Sequence, residues 1–317
     1  MEVVTFGESM VLFSGDQDLP LEYVHRFNKQ MAGAESNVAI GLARLGHSVG
    51  WFSKLGQDAF GRYILQCVRG QGVDTSRCTF TDAAPTAVFF KERRPGGGTK
   101  VYYYRDRSAA SKMTPADLDE AYLTQAKILH VTGITPALSE GCFELVLRAM
   151  ESAKRNDVGI VFDPNIRWKL WDRAEAKGKL LELASRADYI LPGLDEGEFL
   201  TGVTGANQIA EFFLKLGAKA VVVKLGKDGA YYRSLTERGH VPALPVQEID
   251  PVGAGDGFAA GFISGLLRGE SLAQAAARAN AVGAIVVGVH GDTEGLPNEE
   301  ELTAVLSGQS TYQNVQR

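Results

Sequence analysis

Short apolar runs alternate with helical stripes along most of the chain. Ile128 to Thr132, Gly159 to Phe162, Tyr189 to Leu191 and Ala220 to Leu225 are short, β-branched and nearly all apolar, the pattern of strands buried on both faces. Between them the period lengthens. Phe143, Val146, Leu147 and Met150 recur at i, i+3, i+4 and i+7, which turns one stripe of a helix toward a core. Strand then helix, repeated, predicts an α/β fold with a parallel sheet covered on both faces.

Two regions break this rhythm. Residues 11–30 and about 77–111 carry strand-like stretches with no helix between them. Ala87-Val88-Phe89-Phe90 and Val101-Tyr102-Tyr103-Tyr104 flank Pro95-Gly96-Gly97-Gly98, which reads as a hairpin with a flexible loop. The expected organisation is an α/β domain of residues 1–10, 31–76 and 112–317 bearing a discontinuous β lid of residues 11–30 and 77–111. The alternative is that the β-rich segments extend one edge of the main sheet.

Composition narrows the partners. A net charge of −5 gives no general attraction to nucleic acid or anionic membrane, so an anionic ligand must be gathered by local groups. Cys67, Cys78 and Cys142 are odd in number and widely spaced, which predicts scattered structural thiols rather than a metal cluster or a disulfide framework. Glu2-Val3-Val4-Thr5-Phe6 reads as a strand rather than a signal segment, and no apolar run reaches the ~18 residues that span a bilayer. A soluble cytoplasmic protein is expected.

The segment richest in chemistry is Asp250-Pro251-Val252-Gly253-Ala254-Gly255-Asp256-Gly257. It follows a strand-like Pro245 to Ile249 and precedes a helix with an apolar stripe of Phe258, Phe262, Ile263, Leu266 and Leu267. The glycines let backbone N–H groups approach a bound anion, and the helix start adds its dipole. An aspartate would repel a phosphate that was merely bound. Its presence makes sense if Asp256 accepts a proton from a substrate hydroxyl while the amides stabilise a transferring phosphoryl group. The plainer alternative is a glycine-rich turn with Asp256 as a helix cap.

Asp250 to Asp256, with Ala259, Ala260 and Gly261 behind it, resembles the C-terminal signature of the ribokinase-like (phosphofructokinase B) carbohydrate kinases. Ala32-Gly33-Ala34, Asn37, Ala39, Gly46 and Gly56 match the N-terminal signature, and the resemblance covers nearly the whole chain. It implies a doubly wound, mainly parallel sheet, a β lid over the sugar, and in-line transfer of the γ-phosphate of ATP with Mg2+. A requirement for K+ is a further possibility in the family. By matching position Asp256 is the base, and Gly253, Ala254 and Gly255 form the anion hole. The nucleotide side is expected to include Asn165, Lys224, Gly226, Gly229, Gly253, Gly255 and Asn280. Lys-Asp-Gly within 227–229 is also an everyday turn, and Asn280 can equally be a satisfied polar group between packed helices. The family often carries Asn-x-x-Glu where this chain reads Gly193-Leu194-Asp195-Glu196. Glu196 is retained for a water-mediated metal role, or is simply a first-turn helix acid.

Two arginines bear on the acceptor. Tyr103-Tyr104-Arg105 lies on the expected lid, and Asp163-Pro164-Asn165-Ile166-Arg167 follows a core strand, at the end where α/β sheets bind ligands. Arg105 and Arg167 can together hold a carboxylate. Tyr-x-Arg, with Leu170-Trp171 behind Arg167, is similar to the 2-keto-3-deoxygluconate kinases. That resemblance implies a sugar site of Gly33, Asn37, Phe89, Tyr103, Arg105, Arg167, Asp256 and Asp292, phosphorylation of the terminal hydroxyl, and a homo-oligomer through lid strands. Fructokinases share Asp-x-Asn-x-Arg and an aromatic–Arg lid pair, so a neutral ketose or pentose stays open. A non-catalytic sugar sensor on the same fold would have lost the base, which is present. A nicotinamide-dependent dehydrogenase would need Gly-x-Gly-x-x-Gly after the first strand, which Phe6-Gly7-Glu8-Ser9-Met10 lacks.

Overall fold

The computed structural model describes residues 1–94 and 98–308. Its strands are β1 (Val3–Phe6), β2 (Met10–Gly15), β3 (Phe27–Ala32), β4 (Val49–Phe52), β5 (Lys54–Gly56), β6 (Thr79–Thr81), β7 (Val88–Arg93), β8 (Thr99–Tyr104), β9 (Ile128–Thr132), β10 (Gly159–Asp163), β11 (Tyr189–Ile190), β12 (Ala220–Lys224), β13 (Ala230–Ser234) and β14 (Arg238–Val241). The helices are α1 (Ala34–Arg44), α2 (Ala59–Gly70), α3 (Glu120–Leu123), α4 (Glu140–Arg155), α5 (Arg173–Ala184), α6 (Leu194–Thr201), α7 (Ala206–Leu216), α8 (Ala254–Leu267), α9 (Leu272–Val287) and α10 (Glu299–Leu306).

An eight-stranded sheet runs β14-β13-β12-β11-β10-β9-β1-β4, and its last six strands are mutually parallel. At the other end, β13 pairs antiparallel with both β12 and the edge strand β14. Because side chains alternate across a strand, Val221 and Val223 enter one core while Ala220 and Val222 enter the other. Helices α1, α2, α8, α9 and α10 cover the face that takes Ala220 and Val222, with Val38, Ile64, Phe262, Val282 and Leu302 packed alongside Val222. Helices α3 to α7 cover the opposite face, with Leu123, Val146, Leu183, Leu200 and Phe213 packed alongside Val221. The sheet is doubly wound.

From β1 the chain builds outward to β4, then returns to place β9 on the other side of β1. The strand order therefore reverses between β1 and β9. At such a point the connections leave the carboxyl ends in opposite directions and open a crevice. Glu8, Gly133, Asn165 and Arg167 follow the carboxyl ends around it, and Lys224 closes β12 nearby.

A separate four-stranded sheet, β3-β2-β7-β8, stands apart from the main one, so the β-rich segments do not extend its edge. Strand β7 pairs antiparallel with β8, from Val88↔Tyr104 to Arg93↔Thr99. The expected flexible tip at Pro95, Gly96 and Gly97 lies outside the described residues. One side of this sheet gathers Met10, Leu12, Ala32, Ala87 and Phe89. The other carries a ladder of aromatic rings: Phe90 lies 5.3 Å from Phe13, 5.6 Å from Phe27 and 5.8 Å from Tyr104.

Two expectations need correction. Thr79–Thr81, inside the expected lid range, pairs parallel with β5 instead of joining the four-stranded sheet. Pro245 to Ile249 forms no strand. Pro245 has no N–H to give a ladder there. The N–H groups of Ile249 and Asp250 instead both bond the carbonyl of Val287 at the end of α9, at 2.9 and 3.1 Å.

Candidate active site

The loop into α8 turns sharply at Gly253, whose φ is +83°. A Cβ there would also stand 2.7 Å from the carbonyl oxygen of Asp292, so strain and contact both require glycine. Gly253 is the N-cap of α8, and Ala254, Gly255 and Asp256 form its first turn. First-turn N–H groups have no intrahelical acceptor, which leaves donors and the positive end of the dipole at this point.

Asp256 does not cap its own helix. It is 7% exposed, and its carboxylate turns to two asparagines from other elements. Asn37 of α1 donates Nδ2 to Oδ2 at 2.8 Å. Asn165 donates Nδ2 to Oδ1 at 3.4 Å. Asn165 itself has a φ of +36°, a left-handed conformation that asparagine tolerates better than most residues, and its N–H bonds Oδ1 of Asp163 at 3.2 Å. Burial pushes the Asp256 carboxyl above its ordinary range; the Asn37 bond, the Arg167 and Lys224 charges and the Asn165 bond oppose it. Gly33 precedes α1, where a Cβ would meet the carbonyl of Glu8 at 2.5 Å. The close approach needed at Gly33 draws α1, and with it Asn37, against the end of β1.

Lys224 lies across from this carboxylate. Its Nζ bonds both oxygens of buried Asp163, at 2.8 and 2.7 Å. Burial works to lower the Lys224 pKa, but the charges of Asp163 and Glu196 outweigh it and the net shift is upward. Burial raises Asp163, and Lys224 works against that rise. A cavity of about 450 Å³ is lined by Lys224, Gly226, Gly229, Ala254, Gly255 and Asn280, among others. The Asn280 amide donates to the carbonyls of Val241 and Pro242 at 3.0 and 3.2 Å, so it fixes the cavity wall with both contacts to backbone.

A second cavity, of about 760 Å³, brings together Tyr103, Arg105, Arg167, Lys169 and Ser111 beneath the four-stranded sheet. Arg167 is exposed. Arg105 is not free: its Nη2 lies 2.5 Å from Oε2 of buried Glu8, whose other oxygen accepts the Ser108 hydroxyl. The Arg105 guanidinium also sits 5.5 Å from the centre of the Tyr103 ring. Phe89 is buried behind Tyr103, ring centres 5.4 Å apart, and does not line this cavity. Asp256 lies between the two cavities, since Gly255 beside it lines the first and Ile166, next to Asn165, lines the second.

Glu196 accepts the N–H of Gly193 and the N–H of Ile166, each at 2.7 Å. It is thus a first-turn helix acid that also ties α6 to the segment carrying Arg167. Asp292 is buried, and burial first, then the neighbouring Asp256 and Asp250 charges, push its carboxyl up to about 7 against the pull of Lys91. Sequence reasoning passed over Glu8, Glu35, Lys91 and the Asp163–Lys224 pair. Glu35 alone carried a local signal, the one charge in the run Ala34 to Leu42. It is fully buried, receives the hydroxyls of Thr132 and Thr135 at 2.6 and 2.7 Å, and is pushed up to about 7, chiefly by burial.

Residues 1–299 match the pfkB family carbohydrate kinase model. A 2-dehydro-3-deoxygluconokinase of Bacillus subtilis (strain 168) is 45% identical over 314 residues, 98% of this chain and 97% of its own. Fructokinase-1 of Oryza sativa subsp. japonica is 34% identical, over 96% of this chain and 97% of its own. A solved structure of a putative ribokinase II from E. coli, in complex with ATP and Mg2+, aligns with a TM-score of 0.91 at 28% identity, over 97% of this chain and 99% of its own. With both signature segments folded onto one carboxylate and the match running through nearly the whole length, the chain belongs to the pfkB family of carbohydrate kinases.

Proposed function

We propose that this kinase transfers the γ-phosphate of ATP to the terminal hydroxyl of 2-keto-3-deoxygluconate, with Asp256 as the base. The observation that carries the reading is the position of Asp256: buried, in the first turn of α8, and held by Asn37 and Asn165 between the two cavities. Held there, the carboxylate can take the hydroxyl proton as the O–P bond forms and the bond to the departing ADP breaks. Such a base contributes ~10²–10⁴-fold. The N–H groups at Gly253 to Gly255 stand at the start of the helix that carries Asp256, where one donor to a developing anion is worth about 3 kcal/mol.

The 450 Å³ cavity suits the nucleotide, with Lys224 and the helix dipole at its phosphate end. Among the described residues no group of three or more acid, His or Cys side chains can hold a metal. Both Asp163 oxygens serve Lys224, and each Glu196 oxygen already takes an N–H. This donor set fits Mg2+, which keeps several waters and rests largely on substrate phosphates. Glu196 is the carboxylate that would hold it through water, and the ion when bound neutralises phosphate charge. K+ dependence is carried by the family resemblance alone and is tested by titrating the salt.

The four-stranded sheet, built from β2, β3, β7 and β8, is proposed as the lid over the acceptor. Its aromatic face leaves Tyr104 66% and Phe27 37% exposed, which favours a homo-oligomer paired through the lids. Size-exclusion chromatography with light scattering tests that. Among the described residues no helix is long and apolar enough to cross a membrane.

For the acceptor, Arg105 and Arg167 open into one cavity, and the relatives include a 2-dehydro-3-deoxygluconokinase over nearly full length. One observation favours the second reading, a neutral ketose: Glu8 already balances Arg105. Coupled ADP release on the keto-deoxy acid and on fructose decides between them. A clear preference in kcat/KM for the acid supports the first reading, and equal efficiency ends the carboxylate argument.

A further inference from the structure

Lys91 stands on β7, an interior strand of the four-stranded sheet, two residues past Phe89 and so on the same side. Only 4% of it is exposed, and it lines neither cavity. Its Nζ lies 2.5 Å from Oδ2 of Asp250 and 3.9 Å from Oδ1 of Asp292. These two carboxylates belong to the two segments that shape the turn at Gly253. Asp250 opens the loop into α8, and its Oδ1 accepts the N–H of Val252 at 3.2 Å. Asp292 packs its backbone against Gly253, and its Oδ1 is buried with no hydrogen-bond partner.

A buried ion pair is seldom a better source of stability than apolar packing of the same volume, so its placement asks for another reason. Here the placement is specific. One ammonium, delivered by the sheet over the acceptor cavity, reaches the segments on both sides of the turn that aims the α8 amides. Without it, Asp250, Asp292 and Asp256 would repel one another around that turn.

We propose that Lys91 is a positioning residue for phosphoryl transfer: it ties the lid strand to the 250–253 and 291–293 segments, so that seating the lid and aligning the amides at Gly253 to Gly255 occur together. The proposal rests on the reading of the α8 N-terminus as the transfer site. Lys91 acts through Asp250 and Asp292, touching no substrate itself.

The test uses the full chain with Lys91→Met, which keeps most of the side-chain length and removes the charge. The expected result is a kcat at least ~10-fold lower, with KM for ATP and for the acceptor within about threefold of the parent values. In Lys91→Ala, added propylammonium, which restores the deleted atoms, should raise kcat saturably while propanol does not. Lys91→Met turning over within about twofold of the parent overturns the proposal. If Lys91→Met fails to fold, the double variant Lys91→Met with Asp250→Asn removes both charges. It should fold and remain slow, whereas parent-like turnover would mean that Lys91 only neutralised Asp250, and the proposal falls. Asp256→Asn separates the two levels. An inactive Asp256→Asn beside a fully active Lys91→Met sinks only this inference, while full activity in both sinks the assignment of α8 itself.

Discussion

Asn37 donates its side-chain amide to Oδ2 of Asp256 at 2.8 Å, across 219 positions of sequence. One bond thus joins the N-terminal signature segment to the C-terminal one. It also favours the ionised carboxylate, working against the upward push of burial.

Removing that donor should therefore raise the pKa of the base. A hydrogen bond to a charged group is worth about 1.5–3 kcal/mol, equivalent to roughly one to two pH units. In Asn37→Ala the acid limb of the kcat/KM profile should move to higher pH by about one unit or more. An unmoved limb would show that Asn37 does not govern the ionisation of the base.

Arg105 should matter more to an acid than to a neutral sugar. Arg105→Ala is expected to raise KM for the keto-deoxy acid by ~10-fold or more, and for fructose by much less. That variant also strands Glu8 as a buried, unpaired carboxylate, which is itself destabilising. The double variant Arg105→Met with Glu8→Gln removes both charges and should keep the same selective loss. Equal changes in KM for the two acceptors would remove Arg105 from carboxylate recognition.

Glu35 should make the fold less stable as pH rises. Its folded pKa, about 7, lies above the ordinary 4.5, so the folded chain binds more protons than the unfolded chain between those values. Stability from this group is present below about pH 4.5 and is lost as pH climbs through 7. The full effect is roughly 3 kcal/mol. Denaturant unfolding at pH 5 and pH 8 should show the parent losing more stability than Glu35→Gln across that interval. Parallel losses would mean that Glu35 stays ionised throughout.

Much of the fold was legible because local pattern carried it. The runs at 128–132, 159–162 and 220–225 are short, mostly apolar and rich in β-branched residues, and each is a buried strand with bounds shifted by no more than one residue. Pro245 to Ile249 misled because Val246 and Ile249 are β-branched, as in a strand, while Pro245 has no N–H to give a ladder. Asp256 stood out through its glycines. Its partners were less visible in principle. Lys91 meets Asp250 across 159 positions, and Lys224 meets Asp163 across 61. Each pairing exists only once the lid and the sheet bring the ends together, so no local period announces it. Glu8 was read merely as part of a missing glycine fingerprint, although the folded chain sets it against the lid arginine.

The measurement that bears most directly on the chemistry is single-site: Asp256→Asn, with kcat from ADP release and acceptor affinity from calorimetry. The variant should fold, bind the sugar acid as before and turn over at least ~100-fold more slowly. Turnover close to that of the parent would contradict this and place the base elsewhere.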